Sequence, residues 1–184
     1  MTERQTSLET IEAEVWRQLS LAVGDRQHAW RTPVLASIAD DVADARTVVI
    51  REVDHRNKQL LIYTDERAGK VSQLLHHPRG TVVMWSAALA WQLRCRVHLS
   101  LESSGLAASS RWARIRLSPA AQDYLSPLAP GSPIASPAPP HPPVARDFFA
   151  IIDAKIESID WLELHPEGHR RARFDGQGSR WLQP

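Results

Sequence analysis

Five residues between positions 46 and 70 have the types and spacing to hold a phosphate: Arg46, Arg51, Thr64, Arg67 and Lys70. Guanidinium and ammonium groups make charge-assisted hydrogen bonds to phosphate oxygens, which are the strong kind, and the Thr64 hydroxyl adds a further donor. Arg67 and Lys70 fall in or beside the first turn of a predicted helix, with Asp65 as N-cap and Val71, Leu74 and Leu75 as apolar positions. Basic side chains at that end oppose the helix dipole. An anion held on the free backbone N–H groups of the helix start relieves the conflict. Any one of these residues alone reads as part of a solvated basic edge. Five of them around one strand-to-helix corner favour a phosphate site.

No Ser-His-Asp set, metal triad or carboxylate pair stands out. His76 and His77 are adjacent on the predicted helix and project in different directions, so they read as residues favouring its C-terminal dipole rather than as metal ligands. Cys95 is the only cysteine. It allows no internal disulfide or cysteine-based zinc site, and a reducing cytoplasm is expected.

The elements that must position the basic residues follow from periodicity. Residues 46–53 and 60–64 are β-branched and apolar runs, with a polar loop at 54–58 that carries Asn57. This is a hairpin pattern. Alternation puts Thr47, Val49 and Arg51 on one face and Arg46, Val48 and Ile50 on the other. Upstream, residues 6–22 form an amphipathic helix with Thr6 and Glu9 in a capping-box spacing and Leu8, Ile11, Val15, Leu19 and Ala22 on one face. A first strand over 33–39 ends at Asp40-Asp41. The helix after the hairpin spans 67–77 and stops at Pro78.

Strands are expected at 81–86 and at 91–102. In the second, Leu93, Cys95, Val97, Leu99 and Leu101 face one way and Gln92, Arg94, Arg96, His98 and Ser100 the other. Residues 109–125 read as helix in two pieces broken near Pro119. Residues 126–143 hold eight of the 13 prolines and form an extended loop. A short helix is expected at 144–154, then strands at 155–164, 169–174 and around Trp181-Leu182.

At 184 residues the chain is one domain's worth and long enough to bury a core. Lys and Arg total 22 against 21 Asp and Glu, which argues against bulk nucleic-acid binding and leaves the basic residues a local role. Residues 1–14 are polar and acidic and do not read as a signal peptide, and no run is long enough to span a membrane.

Arg-x-x-x-x-Arg at 46 and 51, Tyr63-Thr64 ending the next strand and Lys70 opening the following helix together resemble the pyridoxamine 5′-phosphate oxidase family. Trp91-Gln92-Leu93-Arg94, the C-terminal His169-Arg170-Arg171-Ala172-Arg173-Phe174 and the closing Trp181-Leu182-Gln183-Pro184 extend the likeness over about residues 30–184. The resemblance implies a mainly β (α+β) fold: a six-stranded split β-barrel with flanking helices, over a single FMN-binding domain at 1–184. It also implies a homodimer with FMN at the subunit interface and a small-molecule substrate. The implied cofactor set is Arg46, Thr47, Val48, Val49, Ile50, Arg51, Tyr63, Thr64, Arg67 and Lys70, with Gln92 on the ring side and Arg173 closing the site.

On the substrate side the resemblance points to Arg116, His169 and Arg171. Here the chain departs from the family. Trp112 and Ala120 stand where the family has a hydroxyl-bearing aromatic and a serine, and His169 and Arg171 stand in exchanged order. The implied function is an FMN-dependent oxidoreductase with an altered substrate pocket. The alternative is a flavin- or haem-binding protein without oxidase turnover.

Overall fold

The computed structural model describes residue 4 and residues 7–136 and 147–184. Helix α1 (Leu8–Gly24) is closed by a capping box one residue along from the expected one. The Ser7 side chain accepts from the Thr10 N–H, and the Thr10 hydroxyl accepts from the Ser7 N–H. Thr6, the expected cap, lies outside the described residues. The helix buries Ile11, Val15, Leu19 and Ala22, the face read from the periodicity, together with Trp16.

Among the described residues nine strands follow: β1 (Val34–Ala39), β2 (Val42–Thr47), β3 (Ile50–Asp54), β4 (Gln59–Asp65), β5 (Arg79–Ser86), β6 (Trp91–Glu102), β7 (Phe149–Glu163), β8 (Arg170–Asp175) and β9 (Gly178–Leu182). Helix α2 (Gly69–His76) lies between β4 and β5. After β6 come α3 (Gly105–Ile115) and a 3-10 turn over Pro119–Tyr124, the two pieces expected around Pro119. The strands form one antiparallel sheet in the order β2-β1-β5-β6-β7-β4-β3, with β8 and β9 continuing from β7.

β7 is the hinge of this split barrel. Its residues 149–155 pair with β4, its residues 158–163 pair with β8, and β6 runs along its other side throughout. A register shift opposite Arg96 and Val97 lies between the two stretches.

Several expectations are corrected. The strand expected over 46–53 is broken at Val48 and Val49, because the Val48 N–H donates to the Pro33 carbonyl at 2.9 Å while β2 pairs with β1 and β3 with β4. Side-chain alternation survives the break: Val48 and Ile50 are buried, while Thr47, Val49 and Arg51 face out. Asp40 and Asp41 do not merely end a strand. Both have positive φ (48° and 63°) and make the two-residue turn of a β1–β2 hairpin.

The helix expected at 144–154 is strand from Phe149 onward, with residues 144–146 outside the described set. Four successive residues, Phe149, Ala150, Ile151 and Ile152, are buried beside β4, and such a run carries no periodicity to separate strand from helix. α2 starts after Ala68, with no side-chain cap, and Asp65 is engaged elsewhere. The proline-rich loop is irregular over 126–136, and its residues 137–143 lie outside the described set.

The main core joins α1 to the inner sheet face and holds Trp30, Trp91 and Trp161 in a row, with ring centroids 6.5 and 5.2 Å apart. A smaller cluster packs α3 on β4 and β7 through Ala108, Tyr124, Phe149 and Ile151. Among the described residues no helix is long and apolar enough to cross a membrane.

Cys95 is fully buried on β6, and burial pushes its thiol up to about 12. It is therefore expected to resist a thiol reagent in native protein at pH 8 and to titrate as one equivalent after denaturation. Reaction of the native protein would contradict its burial. The folded value lies above the unfolded one of about 8.5. Stability should accordingly decline as pH rises from about 8.5 towards 12, where only the unfolded thiol ionises.

Candidate functional site

Where β2 ends and the chain crosses to β3, a cleft of about 260 Å³ opens beside the end of β4 and the start of α2. Of the residues expected to hold a cofactor, Thr47, Val48, Val49, Arg51, Tyr63, Thr64 and Lys70 line it. Alternation across the Val48–Val49 break turns Thr47, Val49 and Arg51 outward. Thr64 lies at the end of β4, and Lys70 projects from the first turn of α2.

Lys70 is partly buried. Burial, then the Arg46 guanidinium, push its ammonium below the ordinary lysine value, and Asp65 opposes them. Among the described residues neither Lys70 nor Arg51 has a carboxylate partner in an ion pair. The Arg51 guanidinium carbon lies 6.0 Å from the centre of the Tyr63 ring.

Tyr63 offers the cleft its ring, because its hydroxyl is committed. It donates to Glu52 Oε1 at 2.5 Å, and Glu52 also accepts two hydrogen bonds from Arg111, at 2.6 and 2.8 Å. Burial and the bond to Glu52 push the phenol well above its ordinary value. The Arg111 bond, with help from Tyr63, holds Glu52 below the usual carboxylate range against the effect of burial.

The Glu52–Arg111 tie between β3 and α3 was not anticipated, nor were the cleft residues Asp123, Tyr124 and Pro130. Ala121 and Tyr124, three apart after a proline, are the one local signal for a short helical turn with a buried side.

Other expected residues go elsewhere. Arg46 pairs across the sheet with Leu35, and its guanidinium is bonded to the Leu35 carbonyl, Ser37, Asp44 and Gln73, tying α2 to the β1–β2 hairpin. It stands behind Lys70 rather than lining the cleft. Arg67 grips Asp65, lies 3.3 Å from the centre of the Phe148 ring and donates to the carbonyls of Ser126, Pro127 and Leu128. It anchors the start of the proline-rich loop. Ile50 is fully buried in the core.

Gln92 and Arg173 lie on the outward face of the sheet, Gln92 opposite Trp85 and Leu162, and Arg173 opposite Asp160. The register runs Thr47, Val34, Val83, Arg94, Asp160, Arg173, five strand spacings, or about 24 Å along the sheet. One chain does not bring these two residues to the cleft.

The three expected substrate residues are also apart. Arg116 caps the C-terminus of α3 and is exposed. Trp112 from the same helix is taken up in packing, stacked on Phe149 with centroids 5.7 Å apart and edge-on to Tyr124. His169 lies in the turn before β8, where its Nδ1 accepts from the His165 N–H at 3.0 Å. Arg171 on β8 is bonded to Asp160.

Residues 13–101 match the family model of the pyridoxamine 5′-phosphate oxidase FMN-binding domain. No curated protein sequence matches the chain. Among solved structures, it is similar to a pyridoxamine 5′-phosphate oxidase-related, FMN binding protein from Nostoc punctiforme, with a TM-score of 0.70 at 23% identity, covering 98% of this chain and 100% of that one. It is also similar to PhzG from Burkholderia lata, solved in complex with tetrahydrophenazine-1-carboxylic acid, with a TM-score of 0.72 at 15% identity over 99% of this chain and 95% of that one. A heme binding protein from Mycobacterium smegmatis superposes with a TM-score of 0.54 at 15% identity, over 95% of this chain and 60% of that one. These likenesses establish a shared fold. The sequence match runs through the segment that carries most of the cleft, from Thr47 to Lys70.

Proposed function

We propose that the protein is a cytoplasmic FMN-dependent oxidoreductase, with a single FMN-binding domain, whose cleft holds the phosphate and ribityl end of the flavin. The observation that carries this reading is the pair of cations without carboxylate partners, Arg51 and Lys70, at a helix start that no side chain caps. A phosphate there supplies the missing countercharge and accepts from the Thr47 and Thr64 hydroxyls. Bound FMN would supply the electron transfer. Arg51 and Lys70 bind its phosphate end, Arg46 holds Lys70 and α2 in place, and Tyr63, fixed by Glu52, presents a rigid ring wall.

A ligand of this size fills about 300–1,000 Å³, so a cleft of about 260 Å³ takes only part of it. The ring end then lies at the mouth, and a second copy of the chain supplies Gln92 and Arg173 to it. On this reading the protein acts as a homodimer on a small molecule, with Arg116, His169 and Arg171 on the substrate side.

A second reading, a flavin- or haem-binding protein without oxidase turnover, is favoured by one observation. Trp112, which stands where the family has a hydroxyl-bearing aromatic, is spent on packing against Phe149 and Tyr124.

The absorption spectrum of purified protein, before and after denaturation, separates flavin from haem, and turnover of bound flavin by a reductant and oxygen separates an oxidase from a carrier. Titration with two flavins tests the phosphate itself. FMN is expected to bind at least about tenfold more tightly than riboflavin, the effect of one charge-assisted bond worth about 1.5–3 kcal/mol. Equal affinities would overturn the reading.

A further inference from the structure

The sheet path ends at β2, and no strand lies beyond it among the described residues. The Val48 N–H donates to Pro33, and hydrogen-bonded pairs alternate along an antiparallel ladder, so Leu35–Arg46, Ser37–Asp44 and Ala39–Val42 are the bonded pairs of β1 and β2. The N–H and C=O groups of Ala43, Ala45 and Thr47 therefore point away from β1, to the open edge. Among the described residues only the Ala45 N–H has a neighbour there, the Asp44 carboxylate beside it.

Open edges are normally blunted by a lysine, a proline or a bulge. β3, at the other end of the path, has a register shift between Ile50 and Glu52. β2 has none of these devices. It reads Val-Ala-Asp-Ala-Arg-Thr, pairs with β1 without a shift, and turns out only the small, exposed side chains of Ala43, Ala45 and Thr47.

The charges on its other face select the partner. An added antiparallel strand has to match edge-facing residues to edge-facing residues. Two copies of β2 aligned on Ala45 do so: Ala45 meets the partner's Ala45, and Ala43 meets the partner's Thr47, each pair exchanging two hydrogen bonds. Asp44 then stands opposite the partner's Arg46, and Arg46 opposite the partner's Asp44. The nearest alternative registers set Asp44 against Asp44 or Arg46 against Arg46, like charges directly opposite. Asp44 accepts from Arg46 and Gln73 of its own chain and is still 46% exposed, within reach of a second guanidinium.

We propose that the open edge of β2 pairs antiparallel with the same strand of a second copy of this chain, aligned on Ala45. The contact is isologous, each copy giving and receiving the same bonds. It involves the backbone of Thr47, whose side chain remains at the cleft, and neither Gln92 nor Arg173, so it does not rest on the flavin reading. A pairing of one short strand is small beside the ~1,600 Å² of a standard interface, so it is expected to be reversible.

Sedimentation equilibrium of flavin-free protein over a range of micromolar concentrations tests it. Ala45→Pro removes an N–H that β1 does not use and should reduce the mass of the largest species to about half. Ala45→Lys and Ala45→Asp each set like charges against one another across the two-fold axis and should do the same. An equal mixture of the Ala45→Lys and Ala45→Asp proteins should regain the parent mass, because opposite charges then meet. Ala45 is exposed, so both charged variants should melt at the parent's midpoint in dilute solution, whether or not the proline variant folds.

Variants that fall from tetramer to dimer, or from dimer to monomer, uphold the proposal equally, and only the former also fits a second interface at the flavin site. A mass that none of the substitutions changes overturns it and leaves the edge to a strand of another protein. A mixture that stays dissociated overturns it too, because Ala45 would then not face its own copy.

Discussion

Replacing Arg51 and Lys70 together by alanine is expected to weaken FMN binding by about two to four orders of magnitude while leaving the fold intact. Each loses a hydrogen bond to a charged group, worth about 1.5–3 kcal/mol, and each 1.4 kcal/mol is about tenfold in affinity. Lys70 adds a second sign to the test. Its ammonium is partly buried next to the Arg46 guanidinium, so Lys70→Ala should leave the flavin-free protein as stable or slightly more stable. Arg46→Ala should behave differently. It removes the guanidinium's bonds to Ser37, to Asp44 and to Gln73 of α2, so lower thermal stability should accompany any loss of flavin. Quenching of flavin fluorescence gives the affinities, and thermal unfolding without flavin gives the stabilities. An FMN affinity unchanged in the double variant would remove the phosphate from this corner of the fold.

The largest stability effect is expected at Trp161, which is fully buried on β7, edge-on to Trp91 and 6.5 Å from Trp181. Trp161→Ala should cost about 3–5 kcal/mol through the lost transfer energy and the cavity left behind. Trp161→Phe should cost much less. It keeps an aromatic ring in place and removes an indole N–H that is buried without a partner. Urea unfolding midpoints of the two variants would check the order, and an alanine variant within 1 kcal/mol of the parent chain would mean that the site collapses around the gap.

What could be read in advance depended on how local the determining contacts were. β6 was placed residue for residue, because one face is apolar and the other polar along its whole length. The corner from Thr47 to Lys70 was legible for the same reason: a strand, a turn and a helix start, contiguous in the chain, bring most of its groups together. The first half of β7 was misread as helix because burial on both faces erases the two-residue period.

The division of labour between Arg46 and Arg51 was present in their spacing. Five residues apart along extended chain puts them on opposite faces, so a single cleft does not take both directly. Residue type masked that geometry. Tyr124, Asp123 and the Glu52–Arg111 pair were beyond reach, since they join segments about 60 residues apart whose contact only the sheet and α3 dictate.

The position of β7 late in the chain has a consequence for synthesis. β4 has only β3 beside it, and β6 only β5, until β7 emerges; then one strand closes both open edges, Asp65 meeting Phe149 and Trp91 meeting Glu163. The nascent protein thus carries two unpaired apolar strand edges while about 50 further residues are made, the proline-rich stretch among them. Closure then requires contacts between segments far apart in the chain, the kind that form slowly. A chain released before Glu163 would expose both edges at once, so full-length translation and handling of the growing chain govern how much of it reaches the barrel.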